Sequence, residues 1–395
     1  MADKNSELRI GVIGCGGRGR LARHAHQPDQ GSRLVAGCDI RPEALKEFKD
    51  FCGQEAFVCK DYRELLGRSD LDAVFVTTPD YWHEEHALAA LDSGRAVYCE
   101  KPLTITTAGC DRLLALAHRR KLKLFVGHNM RHMSFVQKMK ELVEKGAIGT
   151  VKAGWCRHFV AYGGDAYFKD WHAERGKATS MLLQKGAHDI DVLHWLCDGF
   201  STRVTGLGNL SVYNQITDRH DPAERGDASW HHTNWPPLSQ KGMNPVIDVE
   251  DLSMIMMQLN TGALCSYQQC HYSPDGWRNY TIIGTEGRIE NFGDNPGACV
   301  VRLWNRRCDY NPYGDEQFYI GPVTGGHGGA DPSIVGEFVR FVRSGGAIKT
   351  CAIAARHSVA AGCAGAESLR RGGVPVDIPP VTPEVQAYFD QWLER

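Results

Sequence analysis

"LRIGVIGCGGRG", residues 8–19, runs from a short apolar stretch directly into a G-x-G-x-x-G turn. A strand feeding such a turn, with a helix after it, is the unit that cradles a dinucleotide pyrophosphate. Gly14 would make the tight turn and Gly16 would let the backbone approach the phosphates. Gly19 would let the next helix pack closely, and Gly17 and Arg18 complete the loop. Glycine-rich turns are common, so the reading depends on what surrounds this one.

The surroundings support it. Residues 33–40, "RLVAGCDI", read as a second strand. Asp39 stands where an acidic residue would hydrogen-bond an adenine ribose, with Ile40 and Arg41 beside it. Its charge would repel a ribose 2′-phosphate, so NAD is expected over NADP, and Arg41 is the residue that keeps NADP open. The same Asp39 is also suited to cap the helix begun by "RPEALKEF".

Further short apolar runs lie at 71–79 ("LDAVFVTTP"), 96–102 ("AVYCEKP") and 123–128 ("KLFVGH"), separated by helical stretches such as "HEEHALAALDSG". Strands alternating with helices imply a doubly wound parallel sheet. Ligands bind such sheets at the carboxyl ends of the strands. Thr78, Pro79 and His83 at one end, and Glu100 and Lys101 at the next, are therefore expected beside the dinucleotide. Pro102 has no backbone N–H to donate, so it ends the strand and leaves Lys101 directed at the nicotinamide. A lysine at a strand end is ordinarily a solvated charge; the nearby glycine turn favours a functional one.

The bulk properties set limits. A chain of 395 residues is expected to form two domains, and 42% hydrophobic with 23% charged residues is an ordinary globular composition. A net charge of −2 offers no general attraction to nucleic acid or anionic membrane. No apolar stretch approaches the roughly 20 residues of a membrane span. The first residues lack the apolar core of a signal peptide, and the 14 cysteines are scattered without a C-x-x-C pair. Reduced thiols in a cytoplasmic protein are expected.

With "GCGGRG" come "TTPDYWH" (77–83), "EKP" (100–102), "GAIGTV" (146–151), "GAHDID" (186–191) and "IIGTEGRIE" (282–290). In this order they make the chain resemble the Gfo/Idh/MocA oxidoreductases, the glucose–fructose oxidoreductase and inositol dehydrogenase family. The resemblance implies an NAD-binding Rossmann domain over residues 1–128. A substrate-binding and oligomerisation α/β domain would follow over 129–395, built on a large, open, mostly antiparallel sheet. It also implies a small-molecule carbohydrate substrate, a homodimer or homotetramer, and Lys101 and His188 as the catalytic pair at the carbinol. The chemistry agrees, because hydride leaves carbon only as the hydroxyl proton is taken up. The chain departs from the family at Gln184, where an acidic residue is usual four positions before the histidine. Lys185 follows it, as an electrostatic replacement, a ligand for an anionic or hydroxyl-rich part of the substrate, or simply a solvated helix-start charge.

In "AHDIDVLHWL", Ile190, Leu193 and Leu196 have helical spacing and should face the core. His188 and Asp191, three apart, can share a face, aimed at the cleft or capping the helix, with Asp189 solvated. Upstream, Arg157, His158, Tyr162, Trp171 and His172 mix aromatic and basic character, which suits the C–H faces and hydroxyls of a sugar. Core aromatics on a strand and loop are the plainer alternative. Residues 214–249 form a long irregular insertion, expected to be an ordered lid or intersubunit arm. His231 and His232 lack a spaced ligand set, so no catalytic metal is expected. Residues 251–259 and 262–272 should pair around a turn at 260–262. His327 reads as a turn residue.

The leading expectation is an NAD-dependent dehydrogenase of a sugar, glycoside or cyclitol. The alternative is an NAD-dependent glycosidase that oxidises, eliminates and re-reduces with the cofactor retained. A non-catalytic NAD-binding regulator is a third class, which the presence of Lys101 and His188 disfavours.

Overall fold

The apolar runs of the first 126 residues become six parallel strands. The computed structural model describes residues 7–224, 226 and 229–393. It divides into one unit made of Met1–His132, Thr324–Arg356 and Val381–Arg395, and a second made of Met133–Val323 and His357–Pro380.

In the first unit β1 (Leu8–Ile13), β2 (Ser32–Cys38), β3 (Phe57–Cys59), β4 (Ala73–Val76), β5 (Ala96–Cys99) and β6 (Leu124–Val126) take the order β3-β2-β1-β4-β5-β6. All five pairings are parallel. Every residue of β4, β5 and β6 is buried, as parallel strands covered on both faces require. The strand order reverses at β1 and β4, so the switch point falls at the glycine turn that leaves β1.

Two details differ from the sequence reading. The segment after the glycine turn, Gly17–Ala25, is a 3-10 helix rather than an α-helix. Two glycines among its first three residues weaken α-helix formation there. The chain also crosses to the second unit at 132/133, four residues past the boundary read at 128, and returns twice, which the reading of 129–395 as one stretch did not include. The helix Ala330–Ser344 carries the apolar face that explains the first return. Ile334, Val335, Phe338 and Phe341 on it are fully buried. Phe338 sets its ring edge-on against Phe75 (5.1 Å) and Tyr98 (5.5 Å), and lies 5.6 Å from Phe125.

The second unit is built on nine strands: β7 (Val151–Phe159), β8 (Ser201–Asn209), β9 (Leu252–Leu259), β10 (Leu264–Cys270), β11 (Trp277–Gly284), β12 (Arg288–Phe292), β13 (Cys299–Trp304), β14 (Glu316–Ile320) and β15 (Val376–Asp377). Their order is β14-β13-β12-β11-β7-β10-β9-β8-β15, parallel between β7 and β10 and antiparallel elsewhere. The mostly antiparallel sheet and the β9–β10 hairpin agree with expectation. The helix Gly186–Leu196 packs on β7 and β10.

The insertion at 214–249 forms no named strand, and residues 225, 227 and 228 of it lie outside the described residues. Ile216, Met243 and Val249 pin it to a small core with Phe168, Met181 and Tyr213. Trp230 and Trp235 remain exposed. Among the described residues no helix is long and apolar enough to cross a membrane. No group of three or more metal-ligating side chains occurs among them, and all 14 cysteines are free thiols.

Candidate active site

Close packing explains the glycines of the first turn. Gly14 has φ +91°, and a Cβ there would sit 2.9 Å from the Thr77 backbone. A Cβ on Gly19 would lie 1.8 Å from the Gly14 carbonyl oxygen, so only glycine allows this approach. A Cβ on Gly16 would meet the Arg41 guanidinium at 1.7 Å. Gly17 has φ +51° and open space around it.

Asp39 follows β2 and accepts hydrogen bonds from the backbone N–H of Gly16 and of Arg41, both at 3.0 Å. The Arg41 guanidinium is 3.4 Å from the same carboxylate. Asp39 therefore fixes the glycine turn against the end of β2, while Ile40 is 80% exposed beside it. These residues suit a dinucleotide: a backbone cradle with no room for a Cβ at Gly14 or Gly19, and an acidic residue at the end of the second strand.

The ends of β4 and β5 are tied together by His83. Its Nδ1 lies 2.7 Å from the Pro102 carbonyl and its Nε2 lies 2.8 Å from the Thr78 carbonyl. The ring is buried, and burial holds its pKa below the usual value, so the neutral ring donates its one N–H to one of these two carbonyls and packs against the other. His83 thus acts on the neighbouring loops by holding them, while Pro79 caps the helix Asp80–Asp92. Thr78 is half-buried, its hydroxyl 3.0 Å from His86.

Glu100 is buried at the end of β5 and has two tasks. One carboxylate oxygen accepts the backbone N–H of Lys101 at 2.8 Å, and the other accepts Arg18 Nε at 2.6 Å. Arg18 also forms a two-pronged pair with Asp331, at 2.8 and 3.0 Å. His327 and Asn129 bond the same Asp331. Burial alone would raise the Asp331 carboxyl, but hydrogen bonds from His327 and Arg18 outweigh it and hold its pKa low. The glycine turn, the Lys101 peptide and the helix Ala330–Ser344 are thereby locked into one ionic cluster. Lys101 itself is half-buried.

In the second unit, a correction concerns Asp189. It is completely buried rather than solvated, and accepts from four side chains. His158 Nδ1 and Tyr267 hydroxyl lie 3.0 Å from one oxygen; Arg278 Nε lies 2.9 Å from the other, which Tyr280 also bonds. The helix Gly186–Leu196 is buried on nearly every side, so it has no solvent face for Asp189 to occupy. Burial, and then Arg278, push the His158 pKa down to about 3, so its imidazole is neutral. The hub ties the start of that helix to β7, β10 and β11.

Lys185, at the N-cap of the helix, and His188 within it are both buried, with Gln184 and Asp191 buried nearby in sequence. Lys185 Nζ donates to the Tyr167 hydroxyl at 3.0 Å and lies 5.3 Å from the ring centres of Tyr162 and Tyr167. A solvated helix-start lysine is therefore not what the fold contains. Burial works against ionisation of Tyr162, but the Lys185 ammonium and Arg278 outweigh it and lower its pKa. Trp171 and His172 are half-buried with rings stacked at 3.7 Å. Arg157 does not join this group. It precedes His158 on β7, points to the opposite face of the sheet, and bonds Asn279 at 3.0 Å.

Tyr267, Arg278, Tyr280 and His271 were absent from the sequence reading. Strand alternation offers the missing signal for Tyr267, in the buried phase of β10, where a hydroxyl needs a partner; β11 does not alternate, and Tyr280 lies in its buried run 279–282.

A six-stranded sheet of this order, with a glycine cradle and Asp39, defines a dinucleotide-binding oxidoreductase unit. Residues 8–128 match a family described as "Oxidoreductase family, NAD-binding Rossmann fold", and residues 136–290 match the "GFO/IDH/MocA C-terminal domain". The chain belongs to the Gfo/Idh/MocA family of NAD-binding oxidoreductases. It is 26% identical over 330 residues to a protein named as an oxidoreductase, YteT of Bacillus subtilis (strain 168), covering 73% of this chain and 77% of that one. It is 33% identical over 191 residues to inositol 2-dehydrogenase of Klebsiella pneumoniae subsp. pneumoniae, covering 48% of this chain. That match spans about half (54%) of the inositol dehydrogenase. Among solved structures, levoglucosan dehydrogenase in complex with NADH and levoglucosan superposes with a TM-score of 0.75 at 21% identity, covering 95% of this chain and all (100%) of that one. GenD2 from gentamicin A biosynthesis, in complex with NAD, gives 0.73 at 19%, covering 96% and 98%. At these identities the structures bear on the fold alone.

Proposed function

We propose that the protein is an NAD-dependent dehydrogenase that oxidises a hydroxyl carbon of a sugar, glycoside or cyclitol. The observation that carries this reading is the position of Lys101 at the carboxyl end of β5. Its backbone N–H is held by Glu100, which is itself paired to Arg18 of the glycine turn. The names of the relatives, inositol and levoglucosan dehydrogenases, support the substrate class.

NAD supplies the hydride acceptor. The chain's residues handle the proton: an imidazole nitrogen of His188 takes it from the hydroxyl, and the Lys101 ammonium stabilises the developing alkoxide. Asp189 steadies the helix that carries His188. Gln184 provides no carboxylate to charge-tune His188, so the imidazole's basicity rests on its other surroundings. Asp39 favours NAD over NADP through its charge. A second copy of this chain is the proposed occupant of the outer face of the second sheet. There Leu207, Met254, Met256 and Leu264 are exposed on one side.

The test is a panel of sugars, cyclitols and aryl glycosides, assayed with NAD, with NADP and with no added cofactor. Stoichiometric NADH formation, faster with NAD than with NADP, is expected. Catalytic release of the aglycone without added NAD would instead make the protein a glycosidase that works by transient oxidation. Tight NAD binding with no turnover of any compound would reduce it to a binding protein.

A further inference from the structure

We infer that Lys185 and His271 form a carboxylate-binding subsite, so that the substrate is an acidic sugar of the uronate class. This rests on the dehydrogenase reading and names its substrate more narrowly.

Lys185 is only 7% exposed, and the hydrogen bond its ammonium makes is to a neutral phenol, Tyr167. Its other neighbours are the faces of Tyr162 and Tyr167. No carboxylate of the described residues pairs with it, whereas Lys169 has Asp165 at 3.5 Å and Arg278 has Asp189 at 2.9 Å. Removing an ammonium from water without an anion is costly, so a buried cation of this kind calls for a negative group.

A second, independent observation also borders Tyr167. His271 is completely buried, and neither of its ring nitrogens has a hydrogen-bond partner among the described residues. Its ring stands edge-on to Tyr167 at 5.7 Å and to Phe168 at 5.8 Å. Burial, and then His158 and Lys185, hold its pKa well below the usual value, so it is neutral with one N–H to donate. Buried polar groups are almost always bonded, so a side chain of this type left without a partner points to a ligand.

The ammonium, the imidazole N–H and the Tyr162 and Tyr167 hydroxyls are complementary to a carboxylate: one unit of positive charge and several donors for two oxygens. A phosphate ester, with a charge of about −1.5 to −2, would call for more cations than this group holds. The acid must belong to the substrate because of helical spacing. Lys185 is the N-cap residue of the helix, in right-handed helical conformation and three residues before His188, and residues three apart on a helix are separated by about 5–6 Å between Cβ atoms. That is the scale of a pyranose ring bearing its carboxylate across from the hydroxyl being oxidised.

The experiment compares initial rates of NADH formation for matched pairs: glucuronate with glucose, galacturonate with galactose, and their methyl glycosides. Wild-type protein, Lys185→Met and Lys185→Arg are each measured. Wild type should favour the better uronate over its neutral partner by at least about tenfold in kcat/KM, the lower value of one charge-assisted hydrogen bond. Lys185→Met should erase most of that ratio, and Lys185→Arg should retain more of it. Equal or faster turnover of the neutral sugars by wild type would overturn the inference and leave the dehydrogenase reading standing; this comparison decides even where a variant fails to fold. An unchanged ratio in a folded Lys185→Met protein would also overturn it. If no sugar of either series reduces NAD, the dehydrogenase reading fails and the inference falls with it.

Discussion

Asp189 joins a helix to three strands of the second unit, because a fully buried carboxylate needs its lone pairs satisfied. Burial would raise its pKa, but Arg278 and the hydrogen bond from His158 outweigh that and hold it well below the usual carboxylate range. Asp189→Asn keeps the shape but leaves Arg278 facing a neutral amide, so it should cost about 3–5 kcal/mol, the usual penalty for breaking a buried pair. Thermal unfolding reads the loss; a melting temperature within a degree of wild type would contradict it. The sign of the pH dependence follows from the depressed pKa. The stabilisation is complete above the unfolded carboxyl value of about 3.9 and is lost as pH falls from there through the folded value. The melting temperatures of wild type and Asp189→Asn should therefore converge below about pH 4. His188, its neighbour, is singled out by the resemblance of "GAHDID" to the family pattern. Asp189 is not, because its partners stand 31, 78, 89 and 91 residues away.

At the scale of elements, the strands of the first unit were legible because each is a short, nearly continuous apolar run bounded by turn residues. The β9–β10 hairpin was legible from alternation and the glycine at its turn. Helix faces were harder. The helix Gly186–Leu196 shows helical spacing of apolar residues, but amphipathic reasoning assumes a solvent face that this buried helix lacks. The helix Ala330–Ser344 is amphipathic, yet nothing in its own pattern says which sheet it covers. Its contribution to the first unit is measurable: Phe338→Ala should destabilise that unit by about 3–5 kcal/mol through the cavity left among Phe75, Tyr98 and Phe125. Hydrogen exchange in β4 and β5 should accelerate accordingly. Unchanged protection there would remove this helix from the first unit's core.

For the whole molecule, the order of motifs along the chain carried the family, and the chain's returns escaped because they are long-range. Arg18 and Asp331, which lock the glycine turn to a helix near the C-terminus, are separated by 313 residues. In the sequence Arg18 reads as a loop residue and His327 as a turn residue, and nothing local joins them. The central claim is that Lys101 and His188 handle the proton that leaves as hydride passes to NAD. Its most direct test is a double-mutant cycle on single-turnover NADH formation with the best sugar of the panel. Lys101→Ala and His188→Ala should each slow turnover by at least about 10²-fold, with NAD binding and folding retained. The double variant should lose much less than the product of the two, as expected when two groups act as one unit. Near-wild-type turnover in either single variant would contradict the account.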